Sequence, residues 1–367
     1  MIYLDNAATT PICEAAKKAI IKHLNDFGNP SSSYEFGHKA LMLIEDARAR
    51  IANCINAAPE EIFFTSGGSE ANNWALVGRT RLASWIEHHS IMTNYGFSVD
   101  MDGIADPEYV REVIENYCRK GSYYHPELIS CMYVNNEIGA IQPIKDLARI
   151  AHEHDLLFHT DAVQAVGHLP IDVKDIGCDM LSASGHKFGA PKGVGFLYLK
   201  NGTYINTLIH GGKQEQGIRG GTENVLGVVA MAEALEDSVV NMEARNEHIR
   251  KMRDKLLYDL LTIDGVDLNG PLLNKRVCSN INVHINGVKG QDVVAMCDEY
   301  GICISAGSAC NEGNAEPSHV LKAIGLTDEE ALSSIRITIG HQNTFDEINY
   351  VCEIMPKIIA RLRQITY

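Results

Sequence analysis

The chain has 367 residues, 45% of them hydrophobic, which is enough to bury one large core and a smaller one and favours two or three domains. With 47 acidic against 32 basic side chains and a net charge of −15, the composition argues against a nucleic-acid backbone as the primary ligand. The opening Met1-Ile-Tyr-Leu-Asp-Asn6 lacks a basic stretch followed by an apolar run, and no later segment approaches ~18 uncharged apolar residues, so the sequence reads as cytoplasmic with no membrane partner.

From about residue 15 to 200, helical periodicity alternates with short apolar runs at 61–67, 128–134, 156–162, 178–185 and 194–200. The run 143–155 between them reads as a helix with a proline at its start. Strands and helices alternating at this spacing predict an α/β domain with a mostly parallel sheet covered on both faces. From Thr222 to about Ile263 the sequence predicts one long helix leaving this domain and entering another. Beyond it, strands at 279–287, 301–307 and 334–340 mix with helices near 290–300, 317–324 and 345–364. That pattern predicts a smaller α+β domain joined by the N-terminal segment, dividing the chain into 15–245 and 1–14 with 246–367.

Ligands of open α/β sheets sit at the carboxyl ends of the strands, so the polar residues after the apolar runs are the candidates. After the first comes Thr65-Ser-Gly-Gly-Ser-Glu70, where small residues and the amide groups of a helix start suit a phosphate; taken alone, a plain cap by Ser69 is the simpler reading. Asn135, Asn136 and Glu137 follow the second run, as turn residues or as donors to a ligand. Asp161, with Gln164 three residues on, is either a cap or the partner of a cation. After the fourth run, Lys187 in Gly185-His-Lys-Phe-Gly189 either snorkels to solvent or is held partly buried with a depressed pKa, the state a Schiff-base amine needs. Phosphate cradle, buried acid, amine nucleophile and amide donors together match the requirements of pyridoxal 5′-phosphate.

The ten cysteines are scattered, with no C-x-x-C pair and no Cys/His cluster at zinc spacing, which argues for free thiols and no metal. Nine lie in apolar or helical contexts, and the core is the expected place for most of them. Cys310, in Ser305-Ala-Gly-Ser-Ala-Cys-Asn-Glu-Gly313, is the one in a loop-like run of small residues.

The motifs YLDNAATTP (3–11), GNPSS (28–32), TSGGSEANN (65–73), EHHSI (87–91), VNNEIGAIQPI (134–144), HTDAVQA (159–165), SASGHKFGAPKGVGFLY (182–198), GGKQEQGIRGGTEN (211–224), SAGSAC (305–310), SHVLKAIG (318–325) and SSIRITIG (333–340) run in order over nearly the whole chain. In them the sequence resembles the NifS/IscS-like cysteine desulfurases, class-V aminotransferase relatives with the fold-type I architecture of pyridoxal-phosphate enzymes and a seven-stranded, mostly parallel sheet. The resemblance implies that Lys187 holds the cofactor as a Schiff base and moves protons at the substrate Cα and on its Cγ side. Asp161 would pair with the pyridinium and Gln164 with the ring hydroxyl, while Gly68, Ser69, Ser184 and His186 bind the phosphate. Thr222 would reach that phosphate from the neighbouring subunit, which implies a homodimer. His88 would stack on the ring and serve as an acid–base group. Asn136, beside the cofactor, would hold the substrate carboxylate with Arg336, whose bidentate fork a lysine lacks. Cys310 would take the sulfur of L-cysteine as a persulfide, leaving alanine, and hand it to an acceptor protein for iron–sulfur assembly or for tRNA or cofactor thiolation. Small neighbours suit a loop that swings between the ring and the acceptor.

Three departures from the pattern stand out. The stretches 74–86 and 92–105 are short, as if an outer strand had been trimmed, Tyr34 replaces a common histidine, and GHQNT (340–344) replaces an arginine-containing run. Two rivals follow from the same residues: a selenocysteine lyase or transaminase of the same fold, in which Cys310 is dispensable, and a non-catalytic scaffold, which has no need of Lys187, Asp161, His88, Arg336 and Cys310 together.

Overall fold

The computed structural model describes residues 1–119, 122–311 and 314–365, and for 308–311, 314 and 315 the backbone alone. In chain order come β1 (Ile2–Tyr3), α1 (Glu14–His23), α2 (Glu35–Cys54), β2 (Ile62–Thr65), α3 (Gly68–Leu76), β3 (Arg81–Ser84), β4 (Gly96–Phe97) and α4 (Pro107–Cys118). There follow β5 (Leu128–Ser130), α5 (Ile144–Glu153), β6 (Leu157–Asp161), α6 (Val173–Ile176), β7 (Met180–Ser184) and β8 (Gly195–Leu199). These strands form a seven-stranded sheet in the order β2-β8-β7-β6-β5-β3-β4. It is parallel from β4 to β7, and β8 runs antiparallel to both its neighbours.

All residues of β5, β7 and β8 are buried, which is why they appear in the sequence as runs of apolar and small residues, serine included, without a polar alternation. α5 covers the sheet with Ile144, Leu147, Ala148 and Ala151, a stripe at the 3.6 period. α2 does the same with Ala40, Ile44, Ala47 and Ile51. The trimmed stretch leaves β4 as a two-residue edge strand beside β3.

The predicted single helix from Thr222 to Ile263 is two, α7 (Val225–Val240) and α8 (Met242–Leu261). Asn241 separates them, with φ −99° and ψ 6°. Its side-chain amide donates to the Asp237 carbonyl (2.8 Å) and carboxylate (3.1 Å), and so competes for a group that continuous helix would use. Thr222 itself precedes the helix, whose start is capped by Asn224 accepting from Gly227 N–H.

The remaining elements are β9 (Val266–Leu268), β10 (Asn280–Ile285), α9 (Gly290–Glu299), β11 (Ile302–Cys303), β12 (Ser305–Ala306), β13 (Ser308–Asn311), β14 (Asn314–Pro317), α10 (His319–Ala323), α11 (Asp328–Leu332), β15 (Ser334–Thr338) and α12 (Phe345–Ile365). An antiparallel sheet, β12-β15-β10-β9, packs a second core in which Ile281, Val283, Ile335 and Ile337 meet Leu256 and Ile359. The predicted strand 301–307 is broken at Ile304: β11 pairs with β1, while β12 pairs with β15. Through β1 the N-terminus joins this part, Leu4 is fully buried in its core, and Asp5 bridges to Thr338. The loop expected around Cys310 has a paired backbone, β13 lying antiparallel to β14 with Cys310 opposite Ala315. Pairing gives those amides and carbonyls partners that small side chains do not. The Cys310 side chain lies outside the described residues.

The core reading of the other cysteines holds for four, Cys131, Cys178, Cys278 and Cys297. Cys118 is exposed, and Cys13 sits at the cap of α1, its sulfur 3.4 Å from Ala16 N.

Candidate active site

Parallel pairing sets Asp161 of β6 beside Ser182 of β7, so the ends of these strands open onto one place. There a cavity of about 350 Å³ is lined by residues from seven segments of the chain. Asp161, 4% exposed, forms its floor. Its Oδ1 accepts from Val163 N–H at 2.9 Å and its Oδ2 from Asn72 Nδ2 at 2.6 Å. The cap reading holds, since it caps the following turn; the carboxylate also faces the cavity, and its hydrogen-bond partners among the described residues are these neutral donors rather than a cation. Burial raises its pKa, and those two hydrogen bonds, His88 and Lys187 oppose the rise.

Lys187 ends a short 3₁₀ turn after β7, and its Nζ donates to the carbonyls of Ala7 (2.6 Å) and Ala8 (2.8 Å). The amine does not snorkel to solvent. Burial lowers its pKa to about 8, the charge of Arg336 pushes the same way, and Asp5 and Asp161 oppose. Gln164 donates to the same Ala7 carbonyl at 2.9 Å. The neighbouring His186 bonds Thr9 Oγ1 at 3.1 Å, and its pKa falls to about 4, mainly through burial.

The simple cap reading of Ser69 fails. α3 starts at Gly68 behind Gly67, whose φ of 153° suits glycine, and no side chain caps it; Ser69 is exposed. The open amides of this first turn border the cavity beside the buried Ser184. The backbone here lies close against the next turn: a Cβ on Gly68 would stand 2.6 Å from Val163 Cγ2.

On the opposite wall, Arg336 of β15 donates to Asn136 O at 3.0 Å, to Asp5 Oδ1 at 2.8 Å and to Ser305 Oγ at 3.1 Å. Its Nε is buried with no partner among the described residues. Asn136 lines the cavity, whereas Asn135 turns inward, accepting from Glu137 and Ile138 N–H. His88 stands at the exposed mouth, its Nδ1 2.8 Å from Ser90 Oγ. Thr222 is exposed and takes no part in this wall within one chain. A second cavity, of about 370 Å³, shares Ala7, Asn136, Gln164 and Lys187 as its partition from the first.

Three participants escaped sequence reading. Asp5 holds Arg336 across 331 residues of chain, and Asn72 holds Asp161 across 89. Glu87 is buried behind His88, its Oε1 accepting from Met132 N–H at 2.7 Å. Burial raises its pKa well above the carboxylate range. All three lie inside the motifs at 3–11, 65–73 and 87–91, but nothing in those motifs shows which partner each side chain meets.

Residues 2–351 match the class-V aminotransferase family. The chain belongs to that family. Over its full length it is 42% identical to the cysteine desulfurase IscS of Dictyoglomus turgidum, covering 96% of that protein. It is 40% identical to the cysteine desulfurase IscS of Methanosarcina thermophila, covering 93% of it. Among solved structures, the NifS-like protein of Rickettsia africae aligns with a TM-score of 0.89 at 32% identity, over 98% of this chain and 99% of that one. SspA in complex with cysteine aligns at 0.79 and 33% identity, over 94% and 100%. Within the class-V family the chain thus lies among the NifS- and IscS-like cysteine desulfurases, and its two-part α/β architecture is the fold-type I one.

Proposed function

We propose that the chain is a pyridoxal-phosphate-dependent cysteine desulfurase that converts L-cysteine to L-alanine and passes the sulfur, as a persulfide on Cys310, to an acceptor protein. The observation that carries this reading is a buried amine titrating near 8 beside a buried carboxyl group in one cavity, with the open start of α3 at its edge. These residues fit the cofactor: Lys187 to bind its aldehyde, Asp161 to pair with its ring nitrogen and Gln164 with its hydroxyl, and Gly68, Ser69, Ser184 and His186 for its phosphate. Thr222, exposed in one chain, is assigned to the phosphate of a second copy in a homodimer. When bound, the cofactor supplies an electron sink that weakens the bonds at the substrate Cα.

The protein's own groups do the rest. Arg336, already anchored by Asp5, and Asn136 hold the substrate carboxylate, for which the unpaired Nε–H is free. Lys187, as a neutral amine, takes the proton from Cα and returns one during turnover. His88 covers the mouth as an acid–base group. The Cys310 thiolate attacks the substrate sulfur; the Cβ–S bond breaks with its electron pair left on carbon, and protonation there gives the methyl group of alanine. The substrate sulfur stays on Cys310, ready for a protein of iron–sulfur assembly or of tRNA or cofactor thiolation. We place this chemistry in the cytoplasm; no helix among the described residues is long and apolar enough to cross a membrane.

Alanine formation from L-cysteine by the cofactor-loaded dimer tests the reading. Cys310→Ser is expected to retain the cofactor's visible absorbance and lose turnover, and unchanged turnover by that variant would transfer the assignment to a lyase that does not need the thiol.

A further inference from the structure

We infer that Ser90 and Asn72 are positioning residues that fix the tautomer of His88, so that Nδ1 carries a lone pair and Nε2–H is the proton presented to the cavity. The inference rests on the proposed role of His88 as an acid–base group. It starts from a backbone amide, which donates and cannot accept: Ser90 N–H points at His88 Nδ1 at 3.2 Å. A proton on that nitrogen would face another proton. Ser90 Oγ lies 2.8 Å from the same Nδ1 and receives a hydrogen from Asn72 Nδ2 at 2.9 Å, so its own hydroxyl hydrogen is free to point at the imidazole. The second hydrogen of Asn72 Nδ2 goes to Asp161 Oδ2 at 2.6 Å.

The donors therefore run in one sense, from Asn72 outward to Asp161 on one side and through Ser90 to His88 on the other, with each hydrogen used once. Asn72 is 1% exposed, which keeps water from replacing either bond. Its Oδ1 has no partner among the described residues, so the amide is held by these two donations rather than by a competing bond. The charges around the ring act in both directions: His89, Lys187 and His319 disfavour imidazolium and Asp161 favours it, with loss of solvent the largest influence, lowering the pKa. A neutral imidazole with its tautomer fixed delivers the Nε2 proton without first reorienting.

The test uses protein labelled with ¹⁵N at histidine, with and without pyridoxal phosphate, His88 being assigned by its loss in His88→Gln. The ring shifts of the wild type are expected to report an unprotonated Nδ1 and a protonated Nε2 near neutral pH in both forms. Ser90→Ala should give mixed tautomers and roughly five- to tenfold lower kcat with little change in KM, and Ser90→Thr should restore both. An Nδ1–H or doubly protonated His88 in the wild type, or Ser90→Ala with unaltered ring shifts, overturns the inference. Full turnover by His88→Gln is a separate outcome: it removes the acid–base role on which the inference rests, and the shifts report the tautomer regardless.

Discussion

Capture of pyridoxal phosphate by cofactor-free protein requires a neutral amine, so the pH dependence of its rate reads the surroundings of Lys187 Nζ directly. At pH 7 an ordinary lysine is neutral in roughly one molecule in a few thousand. At a pKa of about 8, Lys187 is neutral in about one in ten. The difference corresponds to about 3 kcal/mol in favour of the neutral form. Burial supplies most of it and Arg336 adds to it, against Asp5 and Asp161. Stopped-flow absorbance after mixing with pyridoxal phosphate should show a rate rising about tenfold per pH unit below pH 8 and levelling above. Arg336→Met removes a charge that lowers the pKa, and its profile should turn over at higher pH. The stability of the cofactor-free protein carries the same sign: the folded chain binds fewer protons than the unfolded one between about 8 and 10.5, so this group's contribution is full above 10.5 and lost as pH falls through 8. A wild-type capture rate still climbing toward pH 10 would refute the buried-amine argument.

Two further substitutions probe the frame around the site. Gly68→Ala places a Cβ 2.6 Å from Val163 Cγ2 and should cost about 1–3 kcal/mol and weaken cofactor retention, with Val163→Ala in the same chain recovering both; thermal unfolding with and without cofactor measures it. Arg48 pairs with Glu215 through two bonds of 2.9 and 3.0 Å and donates to Ile62 O, all of it buried. Arg48→Met leaves the Glu215 carboxylate without its cation and should cost about 3–5 kcal/mol in urea unfolding, and it should loosen the segment 211–224 that carries Thr222.

The large sheet was legible because its central strands are buried on both faces, and a short run of apolar and small residues such as that at 178–185 has few other uses in a helix-alternating chain. Lys187 and Asp161 were legible as strand-end residues, but their environment was not. The carbonyls that hold Lys187 come from Ala7 and Ala8, some 180 residues away, and no local pattern announces such a contact. The break at Asn241 was missed because an asparagine surrounded by helix formers differs from its neighbours only in a side chain that reaches back to Asp237. Strand β3 has only four residues and opens on a charged one, Arg81, too short for its period to be read. Ser90 lies within the motif EHHSI (87–91), yet its importance depends on where Asn72 of α3 meets it, and that is a property of packing.

The measurement that bears most directly on the central claim is the intact and peptide mass of the cofactor-loaded protein after a single exposure to L-cysteine, with alanine quantified in the same sample. The account predicts the mass of one added sulfur on the Cys310 peptide, removable by a thiol reductant, in step with one alanine per site, and neither product from Lys187→Ala. Alanine formed at the full rate while the Cys310 peptide gains nothing, or the added sulfur residing on another of the ten cysteines, would contradict it.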